Sequence, residues 1–281
     1  MTSESDKPPL TAGTYRRAHS RPAQPLHRAS AMRKVPELTV YFWITKVLTT
    51  AVGESTSDYL VHRFPPVSAV IAGFVALAIS LGIQFAVRRY VAWIYWLAVA
   101  MVAIFGTMTA DVLHIRFRVP YAVSAGLFAI VLIIVFATWY ATEKTLSIHS
   151  IYTWRREMFY WATVIATFAL GTATGDMTAT TMHFGYFLSG VLFAGLIAVP
   201  ALAYRFFGLN GIVAFWFAYI VTRPIGASFA DWMSKPHRVG GLGLGDGTVS
   251  LALAILIVGF VGYLQVSHKD VKDEDVAGPL R

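Results

Sequence analysis

The sequence predicts an all-α, polytopic membrane protein of about eight transmembrane helices, arranged as four parallel two-helix repeats. Three observations predict it. Hydrophobic residues make up 56% of the 281 residues and charged residues only 14%, where a soluble domain carries about 25% charged residues. Mean hydropathy is +0.59, and the apolar residues lie in blocks of roughly twenty, the length that crosses a hydrocarbon core of about 30 Å. One spaced motif recurs four times along the chain.

Inside an apolar block only a helix or a closed barrel satisfies its own backbone. The blocks lack the period-two alternation of barrel strands, so they read as helices. The spans fall at about 38–60, 67–87, 91–112, 120–141, 158–178, 184–204, 211–231 and 247–266. The first is the least hydrophobic and is assigned partly because it carries the motif. The even spans are almost wholly apolar.

The motif is an aromatic residue, Trp, nine residues, Gly, four residues, Asp. It reads Phe42-Trp43, Gly53, Asp58; then Tyr95-Trp96, Gly106, Asp111; then Tyr160-Trp161, Gly171, Asp176; then Phe215-Trp216, Gly226, Asp231. Self-similarity at fixed spacing is the mark of a repeat architecture. Two crossings per unit give every unit the same orientation, as in parallel repeats around an axis along the membrane normal. The membrane domain is expected over 37–268, with repeats at about 37–88, 89–143, 155–206 and 210–268. Motif helices are expected inside and apolar helices toward lipid. Fourfold symmetry and a pair of twofolds are both open at this point.

Two tails flank this domain. Residues 1–36 hold seven Lys and Arg residues with five prolines and no apolar run, the pattern of a disordered basic tail. No apolar segment with a small-residue cleavage site follows, so it is not a secretory signal peptide. Residues 269–281 form the second tail. With the N-terminus in the cytoplasm, inside segments hold sixteen Lys and Arg residues and outside loops five. The positive-inside rule therefore favours both termini in the cytoplasm. That placement explains the net charge of +8 without nucleic acid; the expected partner is the bilayer, anionic headgroups included. There is no cysteine, which excludes disulfides, thiolate metal sites and Cys nucleophiles.

Within the motif, the aromatic pairs are expected to be interface anchors and the glycines points of close helix approach. The four Asp residues lie fifteen positions beyond each Trp, about 22 Å along a helix. A carboxylate near a helix C-terminus opposes the macrodipole, so helix stability does not explain them. Capping of a following short helix is one alternative; a functional carboxylate cluster is the other, since intramembrane ionisable residues are functional candidates. Stepping back in fours, which keeps to one helix face, gives Lys46, Thr50, Glu54, Asp58 in the first unit and Tyr219, Arg223, Ala227, Asp231 in the fourth. The second and third units give Thr107 before Asp111 and Thr172 before Asp176. The cation-binding candidates are thus Asp58, Asp111, Asp176, Asp231 and Glu54, with Lys46 and Arg223 as counter-charges. Five acids and two bases leave an excess of negative charge that a low-dielectric centre tolerates only with cations or bound protons.

Each outer loop holds one histidine: His62, His114, His183 and His237. Their offsets from the preceding Asp vary, which suits solvated loop residues; together they would suit transition-metal capture at the mouth. The glycine-rich run 239–247 lacks the Lys-Ser/Thr ending of a phosphate loop and reads as a flexible outer loop or re-entrant turn. There is no HExxH, nucleophile elbow or redox motif.

The segment Lys34-Val-Pro-Glu-Leu-Thr-Val-Tyr-Phe-Trp-Ile-Thr-Lys46, continuing through Thr49 to Glu54, resembles the opening of a bacterial family of uncharacterised membrane-anchored proteins. The resemblance implies a multi-pass protein of the bacterial inner membrane and carries no activity with it. The functional expectation therefore rests on the residues. It is a small secondary transporter or channel for cations, a divalent metal such as Mn²⁺ among them, coupled to protons or to the membrane potential. Such a protein needs no cofactor beyond a bound divalent cation, and the residues favour a non-enzyme. The alternatives are a membrane scaffold or sensor that uses the same residues for packing, and a membrane enzyme acting on lipid.

Overall fold

The computed structural model describes residues 33–271. Most of the expected basic tail and all but three residues of the C-terminal one lie outside them. The described residues form helices: α1 (Val40–Arg63), α2 (Pro66–Ala86), α3 (Ala92–Asp111), α4 (Tyr121–Glu143), α5 (Trp154–Asp176), α6 (Gly185–Leu196), α7 (Ala198–Phe207), α8 (Gly211–Ser234) and α9 (Asp246–Ser267). One π-helical turn, Val112–Arg116, continues α3 and another, Met177–Thr181, continues α5. Helices α6 and α7 form one rod, Gly185–Phe207. It is interrupted where Pro200 cannot donate to the carbonyl of Leu196.

Local chemistry sets the boundaries. The Thr39 and Thr153 hydroxyls accept from the amides of Phe42 and Arg156, opening α1 and α5. Asn210 accepts from Ile212 N at 2.8 Å to open α8, the usual N-cap chemistry. Pro66 stands at the start of α2, where its missing N–H costs nothing.

Six rods are long and apolar enough to cross a membrane by length and composition: α2, α3, α4, α6 with α7, α8 and α9. The other two, α1 and α5, have 24 and 23 residues but carry more charge. Their polarity faces the protein: Lys46, Glu54, Asp58 and Glu157 are all buried.

The four motif helices form a closed ring, α1 to α3 to α5 to α8 and back to α1. Each apolar helix packs chiefly on the motif helix of the next repeat: α2 on α3, α4 on α5, α6 on α8, and α9 on α1. In the apolar rods 17–22% of the span is buried, against 56% in α3 and 61% in α8. The apolar helices are therefore the outer layer.

Two sets of contacts repeat around the ring. The aromatic of each motif meets the Trp of the next: Phe42 with Trp96 at 5.7 Å, Tyr95 with Trp161 at 5.7 Å, Tyr160 with Trp216 at 6.2 Å, and Phe215 with Trp43 at 5.9 Å. These pairs are core, not interface anchors as their type suggests: Phe42, Tyr95 and Tyr160 are each 1% exposed. The glycines form the second set. A Cβ on Gly53 would stand 2.2 Å from Ala103 Cβ, on Gly106 3.1 Å from Phe168 Cβ, on Gly171 2.4 Å from Arg223 Cγ, and on Gly226 1.9 Å from Thr50 Oγ1. Every partner is the residue eight before the Asp of the next repeat. The packing is thus fourfold in its succession, with each glycine admitting its neighbour's backbone.

Residues 33–37 belong to the packed domain rather than to a tail. Lys34 N donates to Ile151 O, Tyr90 N to Arg33 O, and Glu37 N to Asp270 O. Val35 joins the aromatic core, and Lys34 Nζ lies 2.5 Å from Glu157 Oε2, which Gln84 also contacts through the other oxygen. This segment crosses the aromatic end of the bundle and ties the repeats together there.

Candidate cation site

Stepping four residues at a time along the motif helices gives stacked layers about 6 Å apart. The aromatic layer is Phe42, Tyr95, Tyr160 and Phe215. Above it come Lys46, Val99, Val164 and Tyr219; then Thr50, Ala103, Phe168 and Arg223; then Glu54, Thr107, Thr172 and Ala227; and last the four Asp residues.

Arg223 organises the middle. It is fully buried, on α8 one residue before Pro224. Its Nη2 lies 2.5 Å from Glu54 Oε2 and 2.7 Å from Thr172 Oγ1, and it also bonds Thr107 Oγ1. One guanidinium nitrogen thus joins all four motif helices. A buried charge requires such pairing, and Glu54 supplies it.

Directly above, an oxygen from each of Glu54, Asp176 and Asp231 lies within 4.8 Å of the others. Oxygen ligands bind hard divalent ions at roughly 2.0–2.6 Å, so oxygens up to about 5 Å apart can share one ion. Glu54 and Asp231 are each 3% exposed, and Asp176 is half-buried. Asp111 is also half-buried and is not among the converging oxygens. Neither Asp111 nor Asp176 caps the π turn that follows it with its side chain, and α1 and α8 continue past Asp58 and Asp231. The capping explanation therefore fails in all four units.

Asp58 is held differently. Lys235, four residues after Asp231, donates from Nζ to Asp58 Oδ2, and lies 3.7 Å from Asp231 Oδ1 and 3.7 Å from Asp246 Oδ1. Burial works against the Lys235 charge, but Asp231 and Asp58 outweigh it and hold the ammonium above its ordinary pKa. Neither Lys235 nor Asp246 stood out in the sequence as part of a site. The available signal was the i, i+4 spacing of Asp231 and Lys235, which places them on one helix face.

The glycine-rich run is an ordered cap rather than a flexible loop. Leu242 N, Leu244 N and Gly245 N donate to the carbonyls of Trp232, Met233 and Ser234, and Gly243 N to that of Lys235. They satisfy acceptors that the end of a helix leaves open. Gly241 has to be glycine, since a Cβ there would stand 2.0 Å from Lys235 O.

Other expected residues lie elsewhere. Lys46 is not a counter-charge in this geometry. Its Nζ lies 3.9 Å from the ring centre of Phe168 and 4.1 Å from that of Tyr219, with no hydrogen-bond partner. It is eight residues below Glu54 and twelve below Asp58, about 12 and 18 Å along the helix, and bonds neither. No histidine joins the converging oxygens among the described residues. His62 bonds Asp58 O at 2.7 Å, His114 bonds Val119 O and stacks on Tyr121, and His183 and His237 are exposed. The donor set is carboxylate oxygen alone, which suits Mg²⁺, Ca²⁺ or Mn²⁺ better than a softer metal.

The fold is that of a multi-pass helical membrane protein built from four repeats, with Lys46, Glu54, Asp58, Arg223 and Asp231 buried among its motif helices. The chain belongs to the family described as Repeat of Unknown Function (DUF347), whose model matches it four times, at residues 41–90, 94–145, 159–209 and 214–270. No curated protein and no solved structure matches the chain.

Proposed function

We propose that the protein is a secondary transporter for cations, with a divalent ion such as Mn²⁺ bound between Glu54, Asp176 and Asp231. The convergence of those three carboxylates within 4.8 Å carries the reading. Like charges so close inside a bundle are tolerated only with a cation or protons among them. Arg223 balances one of them, and a dication would balance the other two.

The opposite end supports a transporter over an open channel. The aromatic layer is buried, and the Tyr95 and Tyr160 hydroxyls are bonded to each other across it. Arg223 stands between that layer and the carboxylates, and fixed positive charge there opposes passage of a cation. An ion bound at the aspartate end would need a rearrangement to leave by the other, which is the behaviour of a carrier. In a bacterial inner membrane with both termini cytoplasmic, the carboxylates would face outward and the membrane potential would draw cations in.

The test is uptake of Mn²⁺ into proteoliposomes under an imposed potential. Wild type should show saturable uptake, and Asp176→Asn and Asp231→Asn should lose it while eluting as the same monodisperse species. Uptake indistinguishable from protein-free vesicles, across Mn²⁺, Mg²⁺ and Ca²⁺, would reject the reading and favour a scaffold role.

A further inference from the structure

Lys235 serves three carboxylates with one ammonium. They come from α1, α8 and α9, that is, from the first and last repeats. Its backbone is fixed: its amide donates to Asp231 O at 2.8 Å and its carbonyl accepts from Gly243 N at 2.8 Å. The side chain is held by ionic contacts and by no backbone group, and it is 20% exposed. Asp231 belongs at once to this group and to the converging triad. Its Oδ1 is buried and makes no hydrogen bond, as does Oδ1 of Asp246. A carboxylate oxygen buried in that state has capacity left for a stronger partner.

We propose that Lys235 is the tethered competitor of the cation at this site: its ammonium sits at the Asp58–Asp231 edge, and a divalent ion binds the triad fully only as the ammonium withdraws from Asp231. The inference rests on the cation-site reading above. Coulomb repulsion scales with the product of the charges, so a nearby ammonium opposes a dication twice as strongly as a monovalent ion. Lys235 therefore sets both the affinity of the site and its preference by charge. Asp58 and Asp246 give the displaced ammonium somewhere to stay, so displacement need not expose an unpaired charge.

The experiment is Mn²⁺ binding to the purified full-length protein in detergent, read by the electron paramagnetic resonance signal of free Mn²⁺. Lys235→Met keeps the length and removes the charge; Lys235→Arg keeps the charge. We expect Lys235→Met to lower the Kd for Mn²⁺ at least tenfold, with Lys235→Arg close to wild type. An unchanged or higher Kd in a folded Lys235→Met protein overturns the proposal and leaves the cation-site reading standing. Absence of binding in wild type and both variants overturns the two together. A second measurement covers a Lys235→Met chain that does not fold. In the wild-type protein, Mn²⁺ should raise acylation of Lys235 by an amine-reactive reagent, read by peptide mass spectrometry. Labelling unaffected or lowered by Mn²⁺ overturns the proposal.

Discussion

Arg223 is the residue on which the interior depends. Its one nitrogen meets Glu54, Thr107 and Thr172, so Arg223→Met would leave Glu54 buried with the Thr107 hydroxyl but without its positive partner. Breaking a buried pair from one side costs about 3–5 kcal/mol, whereas replacing both partners is often neutral. Unfolding in denaturing detergent should show Arg223→Met strongly destabilised and the Arg223→Met, Glu54→Gln pair substantially recovered. Equal destabilisation of the single and double variants would contradict the pairing. Lys46 makes the opposite prediction. Two ring faces stabilise its ammonium by roughly 2 kcal/mol when desolvated, against a burial penalty of several kcal/mol. Lys46→Met should therefore unfold no more easily than wild type, and a clear loss of stability would show an acceptor in contact with the amine.

At this scale the sequence was partly legible. The step of four along each motif helix picked out Glu54 and Arg223 because both lie on the helix face of an aspartate. It could not tell that Lys46, on the same face, falls three turns lower among aromatic rings, because a shared face fixes direction and not depth. Lys235 was hidden for a different reason: its partner Asp58 is 177 positions away, and no local pattern encodes that distance.

At the scale of elements, the repeat was the readable feature, since identical spacing from Trp to Gly to Asp requires four helices to present the same face. The aromatic pairs are ambiguous in the sequence because belt anchors and core aromatics have the same composition. What separates them is the neighbouring helix, which only the closed ring supplies. The glycines give a graded test. Gly226→Ala and Gly53→Ala would place a methyl within 1.9 Å and 2.2 Å of α1 and α3 atoms, backbone of the facing helix among the nearest three in each case. Gly106→Ala meets its nearest neighbour at 3.1 Å. Overpacking typically costs about 1–3 kcal/mol. Gly226→Ala and Gly53→Ala should cost at least that much and Gly106→Ala distinctly less, measured as shifts in midpoint in the same unfolding assay. An inverted order would mean the helices pack on other faces.

For the whole molecule, the fold is a ring in which every repeat clasps the next, closed by α8 against α1 and by α9 packed on α1. The two ends differ in kind. One is sealed by aromatic rings and by the segment 33–37; the other gathers acids. At the sealed end Asp270 accepts from the Tyr90 hydroxyl. Burial pushes its carboxyl above the ordinary value of 3.8, with the Tyr90 hydrogen bond opposing. The folded protein then holds this proton more tightly than the unfolded chain. Its contribution to stability is present at low pH and declines as pH rises through the raised value. Asp270→Asn should flatten that slope, so its midpoint relative to wild type should be higher at pH 7 than at pH 4. A difference independent of pH would show that Asp270 titrates alike in both states.

The proposed transport requires that Glu54, Asp176 and Asp231 hold a single divalent cation between them. Equilibrium dialysis of the purified full-length protein against Mn²⁺ tests it most directly. Wild type should saturate at one ion per chain, and Asp176→Asn and Asp231→Asn should bind at least tenfold more weakly with the fold retained. Saturable binding that survives both substitutions unchanged, or no saturable binding at all, would contradict it.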